Sequence, residues 1–288
     1  MTCHNRRELT LACLRTLAAQ PLFDPQDLYL VDDGSHDGTG PAVKALLPAA
    51  NVMDGDGSLF WNGGMRLAWS RAVAAGGYDF YLWLNDDVAL ADDCLAMLTA
   101  DADAVIARGG AVIVAAATTE PGGTRLTYGA HRRTRRDRPL RLNLLAPAGR
   151  PIPADTISGN IVLVSAAAER RLGNMSASFE HIYGDLDYGF RAQAAGIPVL
   201  LASRTGGTCA ANSAAGSSRD GALGLWRRVA LVRREAQTIH GRDWRRFVAL
   251  HGGGPLARIG HRVMPYLRII LDRPHRHAAN VITEREAH

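Results

Sequence analysis

The sequence predicts an α/β fold in which a mostly parallel sheet is flanked by helices. Short apolar runs, such as residues 27–31 and 79–84, alternate with segments whose apolar residues recur at helical spacing. This alternation is typical of proteins that pack helices on both faces of a parallel sheet. Of the 288 residues, 47% are hydrophobic and 21% are charged. That composition provides for a buried core and excludes wholesale disorder.

Capping residues and apolar spacing locate the individual elements. The first helix is expected to begin at Asn5, which forms a capping-box pattern with Glu8. Further helices are expected from Gly38 to near Leu47, over residues 65–75, after Asp92 or Asp93, through Arg191 to Ala195, and from Leu225 onward. The predicted strands are residues 27–31, 79–84, 109–117, 161–164 and 196–201.

The first predicted helix needs a strand before it, and only residues 1–4 are available. Such a strand would be central in a parallel sheet. We therefore expect an N-terminal extension of about 5–6 residues, the length of a typical strand, to raise solubility and melting temperature. Equal behaviour with and without the extension would contradict this.

Two segments lack a simple helix or strand pattern. Residues 120–155 are rich in turns and basic, which indicates a hairpin or flap outside the main sheet. Residues 203–224 are rich in Gly, Ser and Ala, which predicts a mobile loop. The arginines clustered in the first segment are Arg132, Arg133, Arg135, Arg136 and Arg138.

The charge divides the chain into an acidic body and a basic tail. The net charge is +5, and residues 226–288 hold 13 arginines against 5 acidic residues. We therefore predict a catalytic domain over residues 1–225 and a basic helical extension over 226–288. Such a tail suits a membrane surface, an anionic substrate or nucleic acid, or is simply a set of solvated helix faces.

The cysteines and the apolar runs indicate in which cellular compartment the protein is expected. The four cysteines form no CxxC pair, no run approaches the roughly 18 apolar residues of a membrane span, and the N-terminus lacks a signal-peptide pattern. These features predict a cytoplasmic protein with reduced thiols.

Three acidic clusters stand where predicted strands end: Asp32 with Asp33, Asp86 with Asp87, and Asp185 with Asp187. Ligands of open α/β sheets bind outside the carboxyl ends of the strands. Clustered carboxylates there suit a hard cation and the phosphate it accompanies. The alternative is that these aspartates form turns and cap helices.

Residues 1 to about 205 resemble family 2 glycosyltransferases of the GT-A fold, and the order of the motifs is specific as a set. The motifs that carry the resemblance read Thr2-Cys3-His4-Asn5-Arg6, Val31-Asp32-Asp33-Gly34-Ser35, Trp61-Asn62-Gly63-Gly64-Met65-Arg66, Leu84-Asn85-Asp86-Asp87-Val88, Ser158-Gly159-Asn160, and Tyr183-Gly184-Asp185-Leu186-Asp187 with Arg191. The resemblance implies a Rossmann-like sheet and transfer of a hexosyl or deoxyhexosyl unit from a nucleotide donor to an acceptor hydroxyl, with inversion.

The resemblance also implies a metal site. Asp87 matches the last carboxylate of the family's DxD motif, which would hold Mn²⁺ or Mg²⁺ against the donor diphosphate. Asn85 stands where many members have Asp, and Asp86 would face the ribose or the water around the metal. Some relatives add a histidine ligand further along, and in the matching loop this chain has Cys209 and Asn212 instead.

The remaining donor contacts are implied in the same way. Asp33, with Asp32, matches the residues that bind the pyrimidine and ribose, which favours a UDP- or dTDP-linked sugar. Asn5 would lie near the base, or only cap its helix. Asn62, Gly63 and Gly64 resemble a loop that lets the backbone approach the donor, and Arg66 would reach a phosphate or lie on a helix face.

Asp185 matches the family's catalytic base, which takes the proton of the acceptor hydroxyl. Family members usually have Glu-Asp here, whereas this chain has Gly184-Asp185, so Asp187 is a second candidate for the catalytic carboxylate. The alternatives are a helix cap for Asp185 and an ion pair with Arg191, four residues on, for Asp187.

The C-terminal residues bear on the acceptor and on contact with a membrane. Residues 244–271 resemble the tail of a bacterial subgroup that makes surface glycans, so the acceptor is expected to be a glycan or a lipid-linked molecule. Residues 255–271 either contact the inner face of a membrane or pack on the catalytic domain. The alternatives are a nucleotidyltransferase of similar topology and a nucleotide-binding scaffold without turnover. No nucleic-acid-binding module is recognised, so nucleic acid is not expected as a partner.

Overall fold

A computed structural model describes residues 1–135 and 139–271. The α-helices of these residues are α1 (Arg7–Ala18), α2 (Thr39–Leu46), α3 (Phe60–Ala75), α4 (Cys94–Ile106), α5 (Ala166–Leu172), α6 (Gly184–Ala194), α7 (Leu225–Glu235), α8 (Ile239–His251) and α9 (Pro255–Ile270). A 3₁₀ turn covers Pro25–Asp27. None of the described helices is long and apolar enough to cross a membrane.

The strands of the described residues form three sheets. They are β1 (Thr2–Cys3), β2 (Tyr29–Asp32), β3 (Asn51–Asp54), β4 (Phe80–Leu84), β5 (Ala89–Leu90), β6 (Ile113–Thr119), β7 (Leu126–Tyr128), β8 (Ala130–Arg133), β9 (Leu142–Leu144), β10 (Ile152–Pro153), β11 (Thr156–Ile157), β12 (Ile161–Ser165) and β13 (Val199–Thr208). The predicted α/β alternation is thus present.

The N-terminal sheet is parallel, with the order β1-β2-β3, and Thr2 lies opposite Val31. The larger sheet has the order β10-β13-β6-β12-β4, in which β13 and β6 are parallel and β12 runs antiparallel to both of its neighbours. Apolar clusters lie on its two faces, one involving α1 and α4 and the other α3 and α6. The helices therefore bury the sheet on both sides and leave its strand ends free for a site.

Most predicted elements are present, with shifted boundaries. The predicted strand before α1 is the two-residue β1, which is buried. The structure adds β3 and α5, which the sequence did not predict, because β3 has four residues of which two are polar, and α5 follows β12 without a loop. Within the predicted loop 203–224, residues as far as Thr208 belong to β13.

The basic segment after β6 forms the predicted excursion only in part, because its strands β7 and β10 pair with β6 and β13 of the main sheet. Strands β11, β8 and β9 make a small antiparallel sheet beside the main one. Arg132 and Arg133 lie on β8, whereas Arg136 and Arg138 lie outside the described residues. The Arg133 guanidinium lies 4.1 Å from the ring centre of Phe190 on α6, so this small sheet contacts the helix that carries the candidate base.

The C-terminal helices pack on the rest of the protein. Phe247 of α8 is buried against Phe179, which lies before α6, and against Phe190, which lies in α6. Helix α7 begins at Leu225, the last residue of the predicted catalytic domain, and the contacts of Phe247 cross the predicted boundary. Residues 272–288 of the predicted extension lie outside the described residues.

Candidate active site

The acidic pair after β4 is bound to a cation of the protein itself. The Arg6 Nη1 atom donates to Asp86 Oδ1 at 2.9 Å and to Asp87 Oδ2 at 3.0 Å. Asp86 is buried, which raises its pKa, and the charge of Arg6 opposes that rise. Asp87 is more exposed, so its carboxylate is the one that a ligand reaches. The loop before α1 and the end of β4 thus meet at one point.

The surroundings of Asp87 fit a metal only in part. The Cys209 thiol lies 3.5 Å from Asp87 Oδ1, and burial raises its pKa to about 12, so it is a protonated thiol and a poor ligand for a hard cation. Among the described residues, no group of three or more His, Cys, Asp or Glu could hold a metal ion. Mg²⁺ is often held by one or two carboxylates together with substrate phosphates. Asp87 with a diphosphate fits that pattern, once Arg6 releases it.

Asp32 and Asp33 are buried, and both carboxylates bind backbone amides. Asp32 accepts from the N–H groups of Ser35 and Gly40, at the start of α2. Asp33 accepts from Gly57 at 2.9 Å and from Phe60 at 2.8 Å. These bonds hold the two loops that border the site. Each carboxylate oxygen retains a second lone pair with which it can accept from a ligand.

Asn5 joins the end of β1 to the loop after β2. Its side-chain oxygen accepts from the His36 N–H at 2.7 Å, and its own N–H donates to the Ser35 hydroxyl. The expected capping role was wrong, because Arg6 is the N-cap residue of α1 and the first N–H of the helix, that of Arg7, donates to Asp37. Asn5 has a φ of +50°, a left-handed conformation that Asn tolerates.

The expected glycine loop is part of a helix, because α3 already begins at Phe60. Gly64 lies against the Thr2 side chain, so its missing Cβ allows α3 to pack closely on β1. Gly63 is likewise helical, in the second turn. The prediction of a loop at these glycines was wrong, since tertiary packing on β1 outweighs their low helix propensity.

Asn62 and Arg66, on the same helix, are turned toward a different loop. Asn62 is fully buried, and its amide donates to the carbonyls of Ser176 and Phe179. The Arg66 Nε atom donates to the Met175 carbonyl at 2.9 Å. In this structure both residues support the segment that leads into α6, and neither lines the cleft beside Asp87.

Trp61 connects the acidic pair to the candidate base. Its indole N–H donates to the Asn85 side-chain oxygen at 2.8 Å. Its ring lies so close to Gly159 that a Cβ there would be 2.6 Å from it. The Gly159 N–H in turn donates to Asp185 Oδ2 at 2.8 Å. The WNGG and SGN motifs therefore place Asn85 and Asp185 around one indole ring.

Asp185 is the second residue of α6 and is only partly exposed, so the expected position of this cluster at a strand end was wrong. Its second oxygen accepts from the Leu186 N–H at 2.8 Å. Burial raises the pKa of Asp185, and these two backbone hydrogen bonds partly oppose the rise. A general base works best when its pKa lies near the working pH, so a raised pKa suits a carboxylate that accepts a proton.

The first 167 residues match the sequence model of a family described as "Glycosyl transferase family 2". This match covers more than half of the chain. The chain belongs to glycosyltransferase family 2. A comparison with curated proteins finds no match.

Solved structures of glycosyltransferases share the fold of this family 2 member. S. aureus TarS 1–349 matches with a TM-score of 0.51 at 13% identity, over 94% of this chain and 80% of that fragment. The same fragment in complex with UDP-GlcNAc matches with a TM-score of 0.51 at 12% identity, over 93% of this chain and 80% of the fragment. GalNAc-T7 with UDP, GalNAc and Mn²⁺ matches with a TM-score of 0.53 at 11% identity, over 94% of this chain and 55% of GalNAc-T7. These likenesses confirm the GT-A fold class.

Asp187 of this family 2 glycosyltransferase faces away from the cleft. It is buried, its Oδ1 lies 2.8 Å from His251 Nε2 on α8, and its Oδ2 lies 3.7 Å from Arg191. The predicted pairing with Arg191 is therefore present. His251 was not predicted, because nothing in the local sequence distinguishes it from a surface histidine. The geometry gives Asp187 a supporting role and leaves Asp185 as the carboxylate beside the site.

A second residue of α8 holds the backbone just before the candidate base. Asp243 is buried, and its carboxylate accepts from the N–H groups of Glu180, His181 and Ile182 at 3.1, 2.8 and 2.9 Å. Tyr183, the next residue, has a φ of +70° and stacks on the Phe247 ring at 4.8 Å. Sequence analysis missed Asp243, since its partners lie about 60 residues away. The family match ends before α8, yet α8 shapes this site.

Proposed function

We propose that this family 2 glycosyltransferase transfers a sugar, with inversion, from a UDP- or dTDP-linked donor to an acceptor hydroxyl in the synthesis of a cell-surface or secreted glycan. The observation that carries the proposal is the chain of contacts from Asn85 through Trp61 and Gly159 to Asp185. It brings the acidic pair of the DxD-like motif and a carboxylate of raised pKa to the same site.

The donor diphosphate is proposed to bind beside Asp87. Arg6 lies between Asp86 and Asp87, and it can exchange a carboxylate for a phosphate oxygen because guanidinium binds both. A Mn²⁺ or Mg²⁺ ion held by Asp87 would neutralise the negative charge that grows on the leaving diphosphate. The base and ribose are proposed to bind near Asn5, Asp32 and Asp33, which line the loops after β1 and β2.

Asp185 is proposed to act as the base. As the acceptor oxygen forms its bond to the anomeric carbon, the bond from that carbon to the diphosphate breaks, and the hydroxyl proton passes to the Asp185 carboxylate. A single displacement of this kind inverts the anomeric configuration. The acceptor, a glycan or a lipid-linked molecule, is proposed to contact residues 120–160 and 205–225. The solved structures of TarS with UDP-GlcNAc and of GalNAc-T7 with UDP and Mn²⁺ support a nucleotide-sugar donor.

The first test is a thermal shift measurement with UDP, dTDP, GDP and CDP, each with and without Mn²⁺. A ligand that binds only the folded protein raises its melting temperature by mass action. We expect a metal-dependent shift with UDP or dTDP that Asp87→Ala removes and Asp185→Asn retains. A sugar-transfer assay with the donors of the nucleotide that binds then compares the same variants, and transfer by both should be slower by about 100-fold or more.

The outcomes separate the alternatives. Nucleotide binding without transfer from any donor would indicate a scaffold that has lost turnover. Release of pyrophosphate from a nucleoside triphosphate and a sugar phosphate would indicate a nucleotidyltransferase. Binding that Asp87→Ala leaves intact would contradict the proposed donor site.

A further inference from the structure

Helix α9 presents an apolar surface to solvent. Seven large apolar side chains of this segment are between 40% and 85% exposed. We call them the α9 stripe, and they are Leu256, Ile259, Val263, Met264, Leu267, Ile270 and Leu271. Steps of one, three or four residues between them keep these side chains on one side of the helix, and Leu271 is its C-cap residue. An exposed apolar surface of this kind marks an interaction site.

The opposite side of α9 faces the protein. It packs against α7 and α8, Ile269 is buried, and the His261 ring lies 6.1 Å from the Trp244 ring. Helices of soluble domains usually turn their apolar side toward the core. Helix α9 therefore has the reverse orientation, and its packing on the domain does not cover the stripe.

The three C-terminal helices, α9 among them, are strongly basic. Residues 225–271 hold ten arginines and two acidic residues. Both acidic residues are bound within the protein, Glu235 to Ser218 and Asp243 to the backbone before α6. Arg268 lies near Arg141, and burial together with that positive charge lowers its pKa. Two neighbouring cations favour an anion beside them.

We propose that the α9 stripe docks this protein on an anionic lipid bilayer. Apolar side chains on one helix, with arginines on the surrounding surface, suit a helix that lies in the plane of the headgroups. Each arginine near an anionic bilayer adds about 1 kcal/mol of attraction. Two copies of the chain joined through the stripe would bring two arginine-rich surfaces together, so charge favours lipid over a second copy.

Docking does not depend on the proposed transfer reaction. It concerns a surface on α9, whereas the proposed donor site lies at the ends of β2 and β4. If both proposals hold, docking brings a lipid-linked acceptor to the enzyme. Vesicle binding is measured without nucleotide. Failure of lipid docking is then distinguishable from failure of the proposed sugar transfer.

The test is flotation of the full chain with vesicles of phosphatidylcholine alone or with phosphatidylglycerol added. We expect binding to the anionic vesicles that weakens as salt rises. The triple variant Ile259→Ser, Val263→Ser and Leu267→Ser should lower the partition coefficient about tenfold or more, because its apolar contact with lipid is lost. The control is the double variant Leu9→Ser and Leu22→Ser, at exposed leucines of the N-terminal region, which should bind as the wild type does.

The substituted side chains are exposed, so each variant is expected to fold. Circular dichroism melts check this. Wild-type protein that binds anionic and neutral vesicles equally weakly would overturn the proposal, and so would a triple variant that binds like the wild type. Sedimentation velocity supplies the other decisive result. A dimer that forms with rising concentration and is lost in the triple variant would assign the stripe to a second copy and overturn lipid docking.

Discussion

At the scale of single residues, the environment gives similar aspartates different roles. Asp185 and Asp187 lie two positions apart at the start of α6. Asp185 is partly exposed beside Trp61 and Gly159, whereas Asp187 is buried against His251. Because successive residues of a helix point about 100° apart, only one of the two can face the cleft. That difference selects Asp185 as the candidate base.

Replacing Asp185 by Asn tests this role. Activity should fall about 10²–10⁴-fold, the usual contribution of a general base, while donor binding is retained. The pKa of Asp185 is raised by burial, and only its deprotonated form accepts a proton. In the wild type, kcat/KM should therefore fall as pH drops through a pKa above the ordinary aspartate value of about 3.9.

The matched control is Asp24→Asn, an exposed carboxylate that caps the 3₁₀ turn and lies outside the proposed site. It should leave the pH profile unchanged. An Asp185→Asn enzyme with wild-type kcat would remove Asp185 from the reaction and leave the base to be found elsewhere.

At the scale of elements, α8 positions the segment that leads into α6. One buried carboxylate, Asp243, satisfies three consecutive backbone N–H groups, and Phe247 covers the strained Tyr183. A residue held at positive φ costs about 1–3 kcal/mol and persists only when its surroundings enforce it. The position of Asp185 therefore depends on a helix that follows it by more than fifty residues.

Asp243→Ala is expected to lower the free energy of unfolding by about 1–3 kcal/mol, since buried N–H groups lose their acceptor. Urea unfolding measures this change. Amide hydrogen exchange should accelerate at residues 180–182, and kcat should fall more than donor affinity. Asp243→Asn, which keeps one acceptor oxygen, should be milder in each respect.

Arg242→Ala is the neighbouring control, because its ion pair with Glu180 is exposed and such pairs contribute little. Unchanged exchange at residues 180–182 in Asp243→Ala would show that α8 does not hold this segment.

At the scale of the whole molecule, the match to the family ends at residue 167, but the packed structure continues through α9. Aromatic residues from both sides of position 225 share one cluster, in which Phe247 contacts Phe179, Tyr183 and Phe190. The predicted domain boundary is thus a boundary in charge and composition, across which the packing is continuous.

Ending the chain after residue 224 should lower the melting temperature by about 10 °C or more. Losing a buried Phe costs about 3–5 kcal/mol, and each kcal/mol shifts the melting temperature of a domain this size by about 2–4 °C. Differential scanning calorimetry measures this, with a chain ending after residue 271 as the control. Equal melting temperatures for residues 1–224 and the full chain would make the extension an independent unit.

Local sequence by itself determined the α/β alternation, the acidic residues after β2 and β4, and the family. These depend on short-range patterns, namely apolar periodicity, turn residues and motif spacing, which are readable in a window of a few residues. The role of Asp185 as the base was implied by the resemblance to the family, and it stays a prediction.

Only the tertiary structure decided which of these side chains face the cleft. Asn62 and Arg66 turn toward residues 175–179, Gly64 lets α3 pack on β1, and Asp243 and His251 reach α6 from a distant helix. It also decided that α9 turns its apolar side outward. The physical reason is that burial and hydrogen-bond partners are set by residues far apart in the chain, so no local window contains them.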